Sequence, residues 1–227
     1  MMALAGIAGA TTEPTAVYTL DGVDIGTLNV IDISTANVSS AATDGITIML
    51  TLDFDSFANG PSFWFSTLAH DATNVSTSYQ SAAAIVGSGS PGNGKTQRLS
   101  LYKASAGSAS GVSTSTAGLS NGETDFDTVA FITIKDSTAT IYELTAEGTV
   151  VETGTVTGST NVVGGSLKSL VIGNWQHNGV NSTGSADIAF YNGTLTKAQM
   201  NKLVPEPTTA TLSLLALAGL AVRRRRK

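Results

Sequence analysis

The clearest regularity in the chain is an alternation of apolar and polar side chains between Ile46 and Phe54. The even positions of this stretch are all apolar, and three of its four odd positions are polar. Successive side chains of a β-strand point to opposite faces of a sheet. The pattern therefore predicts a strand that is buried on one face only.

Shorter runs of the same kind follow, separated by segments rich in Gly, Ser, Thr and Asn such as Ala104 to Asn121 and Asn174 to Gly184. The further predicted strands are Ser62 to Ala69, Ala83 to Val86, Gln97 to Tyr102, Thr128 to Lys135, Thr138 to Leu144, Val150 to Thr155, Leu167 to Ile172 and Ser185 to Tyr191. Many short strands without helices between them predict an all-β fold, an antiparallel sandwich or jelly roll. One or two helical turns are expected from Thr196 to Leu203, because Thr196 and Gln199 have the spacing of a capping box.

The C-terminal stretch follows a different pattern. Thr208 to Val222 is an apolar run of fifteen residues, and Arg223 to Lys227 are all basic. As a helix the run would measure about 22 Å, against a hydrocarbon core of roughly 30 Å. Leucines surround such a helix, which favours a short membrane span with a cytoplasmic basic end over the alternative, a buried core helix with a solvated end.

A Pro-Glu-Pro motif, an apolar helix and an Arg-rich end follow one another in this stretch, carried by Val204, Pro205, Glu206, Pro207, Arg223, Arg224, Arg225 and Arg226. In this order they closely resemble the PEP-CTERM sorting signal of Gram-negative bacteria. The resemblance implies export across the inner membrane and recognition by an exosortase. It further implies cleavage near the motif and a final place at the cell surface or outside the cell, after transient anchoring by the helix.

Three segments result from these patterns. Residues 1–10 are expected to be part of a signal peptide, because Met2 to Ala10 is apolar and ends in the small-x-small form of a cleavage site. A flexible N-terminus is the alternative, since the basic start of a signal peptide is missing. Residues 11–203 form the predicted β-domain, and residues 204–227 form the sorting signal.

Charge and composition exclude several partners. The chain has 227 residues, no cysteine, 12 basic and 17 acidic residues. Five of the basic residues and Glu206 belong to the tail, which leaves a net charge of about −9 on the rest. So acidic a surface makes nucleic acid an unfavourable partner. Without cysteine there is no disulfide framework and no thiolate metal site.

Two segments are similar to functional motifs, one complete and one incomplete, and neither has the surroundings that its motif needs. Gly89 to Thr96 matches the P-loop pattern, yet the residues after it alternate as a strand instead of forming the helix whose N-terminus holds the phosphates, so we expect no nucleotide. Glu123 to Asp127 is similar to the acidic signature of jelly-roll glucanases, but Thr128 stands where the closing Glu is needed. We interpret this run as a solvated turn before the next strand, and we expect no catalytic residues.

In the last part of the β-domain, a predicted strand with an Asp, an aromatic residue and Tyr-Asn precedes a Leu-Thr-x-x-Gln turn, carried by Asp187, Phe190, Tyr191, Asn192, Leu195, Thr196 and Gln199. This arrangement resembles the corresponding part of concanavalin A-like, laminin-G-like jelly rolls. The resemblance implies the fold and a habit of binding glycans or proteins. It also leaves calcium open as a cofactor, with Asp53, Asp55 and Asp187 as candidate ligands beside Asn174 and Asn178.

The candidate ligand-binding residues lie after the strand that ends at Ile172. Trp175 is placed to stack on a sugar ring at a strand end, next to Asn174, His177 and Asn178, although packing in the core is the alternative for the Trp. The leading functional hypothesis is a non-enzymatic surface or matrix protein that binds glycan or another surface protein. A glycoside hydrolase or lyase of the same fold and a purely structural component are the alternatives.

Overall fold

A computed structural model describes the β-domain as far as Val204. It describes residues 13–27, 29–36, 38, 44–56, 62–66, 81–88, 97–105, 108–116, 126–135, 138–145, 147–157, 167–173 and 183–204. Twelve strands and one short helix are found within these residues.

The strands form two six-stranded antiparallel sheets, as the alternating pattern predicted. Sheet A contains, in spatial order, β1 (Tyr18–Asp24), β12 (Thr183–Asn192), β3 (Ile46–Ser56), β8 (Phe126–Lys135), β9 (Thr138–Leu144) and β10 (Val150–Thr157). Sheet B contains, in spatial order, β2 (Asn29–Asp32), β11 (Ser169–Gly173), β4 (Ser62–Ser66), β5 (Ser81–Ser88), β6 (Gln97–Ser105) and β7 (Ser108–Thr116).

The main core lies between the two sheets. The even positions from Ile46 to Phe54, which the alternation marked as apolar, are all at most 3 % exposed. They share one cluster with Phe65 of sheet B and with Leu170 and Ile172 of β11. The apolar residues that are in phase on β3, β8 and β12 are buried in this cluster: Ile48, Leu50, Leu52, Ile132, Ile188 and Phe190. Burying one face of each sheet against the other removes the apolar side chains from water and so stabilises the sandwich.

A second apolar cluster lies on the opposite, outer face of sheet A. It is covered by helix α1 (Lys197–Leu203), which places the fully buried Met200 against Phe131 and Tyr191. The predicted capping box is confirmed: the N–H of Gln199 donates to Oγ1 of Thr196 at 3.3 Å, and the N–H of Thr196 donates to Oε1 of Gln199 at 2.9 Å. These bonds satisfy donors that the first turn would otherwise leave exposed.

Parts of the expected secondary structure need correction. The segment Ala104 to Asn121 is not only turn-rich, because it contains the whole of β7, an edge strand that pairs with β6 through its backbone. Strands β1 and β2 were not predicted at all. Of the strand expected from Ser62 to Ala69, the part from Ser62 to Ser66 is confirmed as β4, and residues 67–69 lie outside the described residues.

The two ends of the chain and the P-loop-like motif lie outside the described residues. The motif Gly89 to Thr96 falls between β5 and β6, and strand β6 begins directly after it at Gln97, as the alternation predicted. The expected signal peptide and the sorting signal beyond Val204 are likewise not described. Within the described part of the chain, no helix has the length and apolar character needed to cross a membrane.

Candidate functional site

A cavity of about 600 Å³ opens on the outer face of sheet A, next to the C-terminal end of α1. Its floor is built by the neighbouring strands β12, β3 and β8, and the turn after β9 forms one side. The even positions from Ile46 to Phe54 point into the core, so the odd positions of β3 lie on the outer face, where Thr51 and Asp53 line this cavity. The alternation that builds the core therefore also determines which side chains the cavity presents.

Three carboxylates lie along the floor of the cavity. Asp53 of β3 is the direct cross-strand partner of Asp127 of β8, and Asp187 of β12 is the partner of Thr51 on β3. Directly opposed residues of an antiparallel pair have Cβ atoms about 5 Å apart, and like charges in that position repel each other. All three carboxylates are exposed. The floor is therefore strongly negative.

Asp187 also has a structural role. Its Oδ1 accepts the N–H of Gly22 at 2.7 Å, which connects β12 to the irregular part of β1. Gly22 has a φ of 62° there, a conformation that is costly for residues with a Cβ. This hydrogen bond fixes the position of the Asp187 side chain at the edge of the cavity.

The rest of the cavity lining combines hydroxyl groups with apolar side chains. Thr51 and Ser185 provide hydroxyls on the floor, and Val129, Leu144 and Val204 provide apolar surface. Carboxylates accept hydrogen bonds, hydroxyls both donate and accept them, and aliphatic side chains cover C–H groups. A site of this volume and mixed composition is typical of small-molecule binding.

Val204 reaches the cavity because α1 is held firmly against the sheet. The N–H of Val150 donates to Oδ1 of Asn201 at 2.7 Å, and the N–H of Val204 donates to the carbonyl oxygen of Met200 at 3.3 Å. Val204 is only 6 % exposed. The first residue of the expected sorting motif is therefore packed into the domain.

A close backbone contact fixes the register of the floor. Gly184 has a φ of 140°, and a Cβ at this position would overlap the carbonyl oxygen of Asp53. The register shift between Thr183 and Gly184 occurs at the same point. Only glycine allows the two strands to approach here, and that approach places Asp53 beside Ser185.

Two tyrosines lie on the same face of the sheet, farther from the carboxylates. Burial, and then the charge of Glu152, raise the pKa of Tyr142; burial, and then the charge of Glu13, raise the pKa of Tyr191. Both phenols therefore stay protonated at neutral pH. The Tyr191 hydroxyl donates to Sδ of Met49 at 3.8 Å, so this ring belongs to the packing under α1.

The structure brings together only some of the residues that the sequence singled out. Asp53 and Asp187 line one cavity, whereas Asp55 lies two positions further along β3 and is not among the lining residues. In the described ranges, no three His, Cys, Asp or Glu residues are grouped closely enough to hold a metal ion. The ligand-binding candidates Trp175, Asn174, His177 and Asn178 lie outside the described residues.

Asp127 is the main residue that the sequence reasoning missed. It was expected in a turn, but β8 begins at Phe126, because Phe126 pairs with Phe54 and Asp127 with Asp53. A signal was present: Phe126 is apolar and in phase with Ala130 and Ile132, so the alternation of β8 extends back past Thr128. Following that phase would have placed Asp127 on the outer face.

Comparison with known proteins identifies a shared fold and no family. No family model matches the sequence, and no curated protein matches it significantly. Among solved structures, the chain is similar to NanB with Optactamide (14 % identity, TM-score 0.53, covering 84 % of this chain and 28 % of that one). It is also similar to the Ruminococcus gnavus IT-sialidase CBM40 bound to α2,3-sialyllactose (10 % identity, TM-score 0.51, covering 84 % and 99 %).

A third similar structure is a GH54 α-L-arabinofuranosidase soaked with a cyclic sulfate inhibitor (11 % identity, TM-score 0.52, covering 80 % of this chain and 38 % of that one). This chain therefore spans less than half the length of NanB and of the arabinofuranosidase. At these identities the likeness defines the class of fold, an antiparallel β-sandwich of the kind found in carbohydrate-binding modules.

Proposed function

We propose that the chain is an exported surface or matrix protein whose β-sandwich binds glycan in the cavity on the outer face of sheet A. The observation that carries the proposal is the cavity itself. Its carboxylates and hydroxyls suit the hydroxyl groups of a sugar, and its aliphatic wall suits the C–H face of a sugar ring. The shared fold adds support, because a whole carbohydrate-binding module covers most of this chain.

A glycan array probed with the full chain tests the binding function. Because the C-terminal run is apolar, the chain is held in a detergent without a sugar headgroup, so that the detergent does not compete. We expect selective binding to a few related glycans, and parallel arrays with calcium and with a chelator show whether calcium is needed. An array that stays blank in both conditions would contradict glycan binding and favour a surface-protein partner or a purely structural role.

The proposal for export rests on the order of Val204, Pro205-Glu206-Pro207, the apolar run and Arg223 to Lys227. We expect an exosortase to remove the tail, because this order resembles the PEP-CTERM sorting signal. Mass spectrometry of the protein from the cell surface should find no peptide that contains Arg223 to Lys227. Intact tail peptides would contradict processing. Replacing Arg223 to Arg226 by Ser should lower the fraction of molecules that insert with the correct orientation, since it removes the positive-inside signal.

A glycoside hydrolase is a second candidate, favoured by one observation. Retaining glycosidases use two carboxyl groups about 5 Å apart, and Asp53 and Asp127 are direct cross-strand neighbours. If the pair is catalytic, incubation with the bound glycan releases new reducing ends, and Asp127→Asn abolishes this release while the chain stays folded. Binding without any cleavage would leave the non-enzymatic function as the better account.

A further inference from the structure

The charge of the cavity lining is one-sided. Asp53, Asp127 and Asp187 line it, and none of its described lining residues is Lys, Arg or His. A recess lined by one sign of charge concentrates ligands of the opposite sign and disfavours ligands of the same sign. An acidic sugar would bring its carboxylate among three others with no basic side chain of the described lining to pair with it.

The arrangement of the three carboxylates favours a positively charged group on the ligand. Asp53 and Asp127 face each other across β3 and β8, where like charges repel. A cation placed between them relieves this repulsion. Asp187 accepts one hydrogen bond from Gly22, but a carboxylate has about four acceptor positions, so it can still accept a bond from a ligand.

The size of the cavity and its uncharged lining indicate a ligand larger than a single cation. Its volume of about 600 Å³ is that of an organic ligand site. The hydroxyls of Thr51 and Ser185 lie on the same floor as the carboxylates, while Val129 and Leu144 provide an apolar surface. A ring with hydroxyl groups, an aliphatic face and an ammonium group satisfies each of these surfaces.

We propose that the preferred ligand of this cavity is an amino sugar with a free ammonium group, and that acidic sugars are excluded. This specificity rests on the proposed glycan-binding function and defines its ligand class. The ammonium group lies between Asp53 and Asp127, and the ring contacts the hydroxyls and the aliphatic wall. N-acetylation of the amine removes the charge and therefore weakens binding.

Calorimetric titration of the full chain with three sets of short oligosaccharides tests the inference. The ligands are glucosamine oligomers, the matching N-acetylglucosamine oligomers and galacturonic acid oligomers, at a pH where the amines are protonated. We expect glucosamine oligomers to bind about ten-fold tighter than the acetylated ones, a difference of about 1.4 kcal/mol. Raising the salt concentration should weaken only the glucosamine complex, and galacturonic acid oligomers should not bind.

Matched variants locate the charge effect. Asp127→Asn keeps the shape of the side chain but removes its charge, and should remove most of the preference for glucosamine. Asp55→Asn removes one charge from the same face of β3 outside the cavity, and should leave the preference unchanged. Melting curves of both variants check that they are folded.

The outcomes separate this inference from the proposed function. Equal or tighter binding of acetylated or acidic oligomers would overturn the ammonium specificity alone. So would equal effects of Asp127→Asn and Asp55→Asn, because these would indicate a general effect of the protein's charge. If no glycan of any charge binds, the proposed function fails and the specificity fails with it.

Discussion

Truncating Phe190 to alanine should destabilise the sandwich more than most single substitutions can. The ring is fully buried between the sheets, with Tyr18 of β1 at 6.0 Å and Phe65 of sheet B at 6.1 Å between ring centroids. A buried Phe replaced by Ala loses about 3–5 kcal/mol, because the transfer term is lost and a cavity remains. Since Phe190 packs against side chains of both sheets, we expect Phe190→Ala to lower the free energy of unfolding by about 4 kcal/mol. That is a large part of the roughly 5–15 kcal/mol available to a domain.

The measurement is urea unfolding of the full chain and of the variant, followed by tryptophan fluorescence and circular dichroism. In thermal unfolding of a domain of this size, a loss of 1 kcal/mol of stability lowers the melting temperature by about 2–4 °C. The melting temperature of Phe190→Ala should therefore fall by roughly 8–16 °C. Val151→Ala is the matched control, because Val151 is 37 % exposed and should change stability by less than about 0.5 kcal/mol. A loss below about 1 kcal/mol for Phe190→Ala would refute the assignment of the even positions to the core.

Three further predictions concern local features of the sandwich. Gly184→Ala should lower the free energy of unfolding by more than about 2 kcal/mol, because the added Cβ would overlap a carbonyl oxygen of β3. The control is Gly22→Ala, which should cost only about 1–2 kcal/mol, because Gly22 has a φ of 62° but open space around it. Equal losses in the two variants would contradict the close backbone contact between Gly184 and β3. Thr196→Ala should cost about 1 kcal/mol in urea unfolding through loss of the capping box, whereas the exposed Lys197→Ala should cost less than about 0.5 kcal/mol. Hydrogen bonds from Thr27 and Gly26 lower the pKa of Asp24 below 3.8, so its contribution to stability is present above that pH and is lost as the pH falls through the lower folded-state pKa. When the pH is lowered below 3.8, the Asp24→Asn variant should therefore lose less stability than the unchanged chain. Identical acid profiles would show that the lowered pKa of Asp24 does not contribute to stability.

The strands that could be predicted from sequence are those with one buried face. In Ile46 to Phe54 the apolar positions recur with period two, and this stretch became the centre of sheet A. Strand β7 escaped prediction because Ser108 to Thr116 offers little apolar alternation; its pairing with β6 through the backbone does not depend on side-chain type. Strand β2 has only four residues, and β1 alternates at Tyr18 and Leu20 but loses this phase at Gly22, so that Val23 falls out of step.

The candidate site could be predicted only in part, because it depends on which strands are neighbours. Asp53 and Asp187 were chosen as oxygen ligands from their residue type, and their alternation placed each on one face of its strand. Periodicity does not tell which residue lies opposite on the next strand, so the Asp53–Asp127 pair became visible only with the register of β3 and β8. The same holds for Val204, whose place beside the cavity follows from the packing of α1.

The central claim is that glycan binds in the cavity on the outer face of sheet A, and a steric block tests it most directly. Thr51 lies in the middle of the floor, so Thr51→Tyr fills the cavity with a residue type that β-strands favour. The control is Thr19→Tyr, which places the same residue at an exposed position of the edge strand β1, outside the cavity lining. The measurement is the dissociation constant of the best array glycan by calorimetry for the full chain and both variants. The account predicts at least about ten-fold weaker binding for Thr51→Tyr, or about 1.4 kcal/mol, and less than about a two-fold change for Thr19→Tyr. Unchanged affinity in a folded Thr51→Tyr protein would contradict the claim.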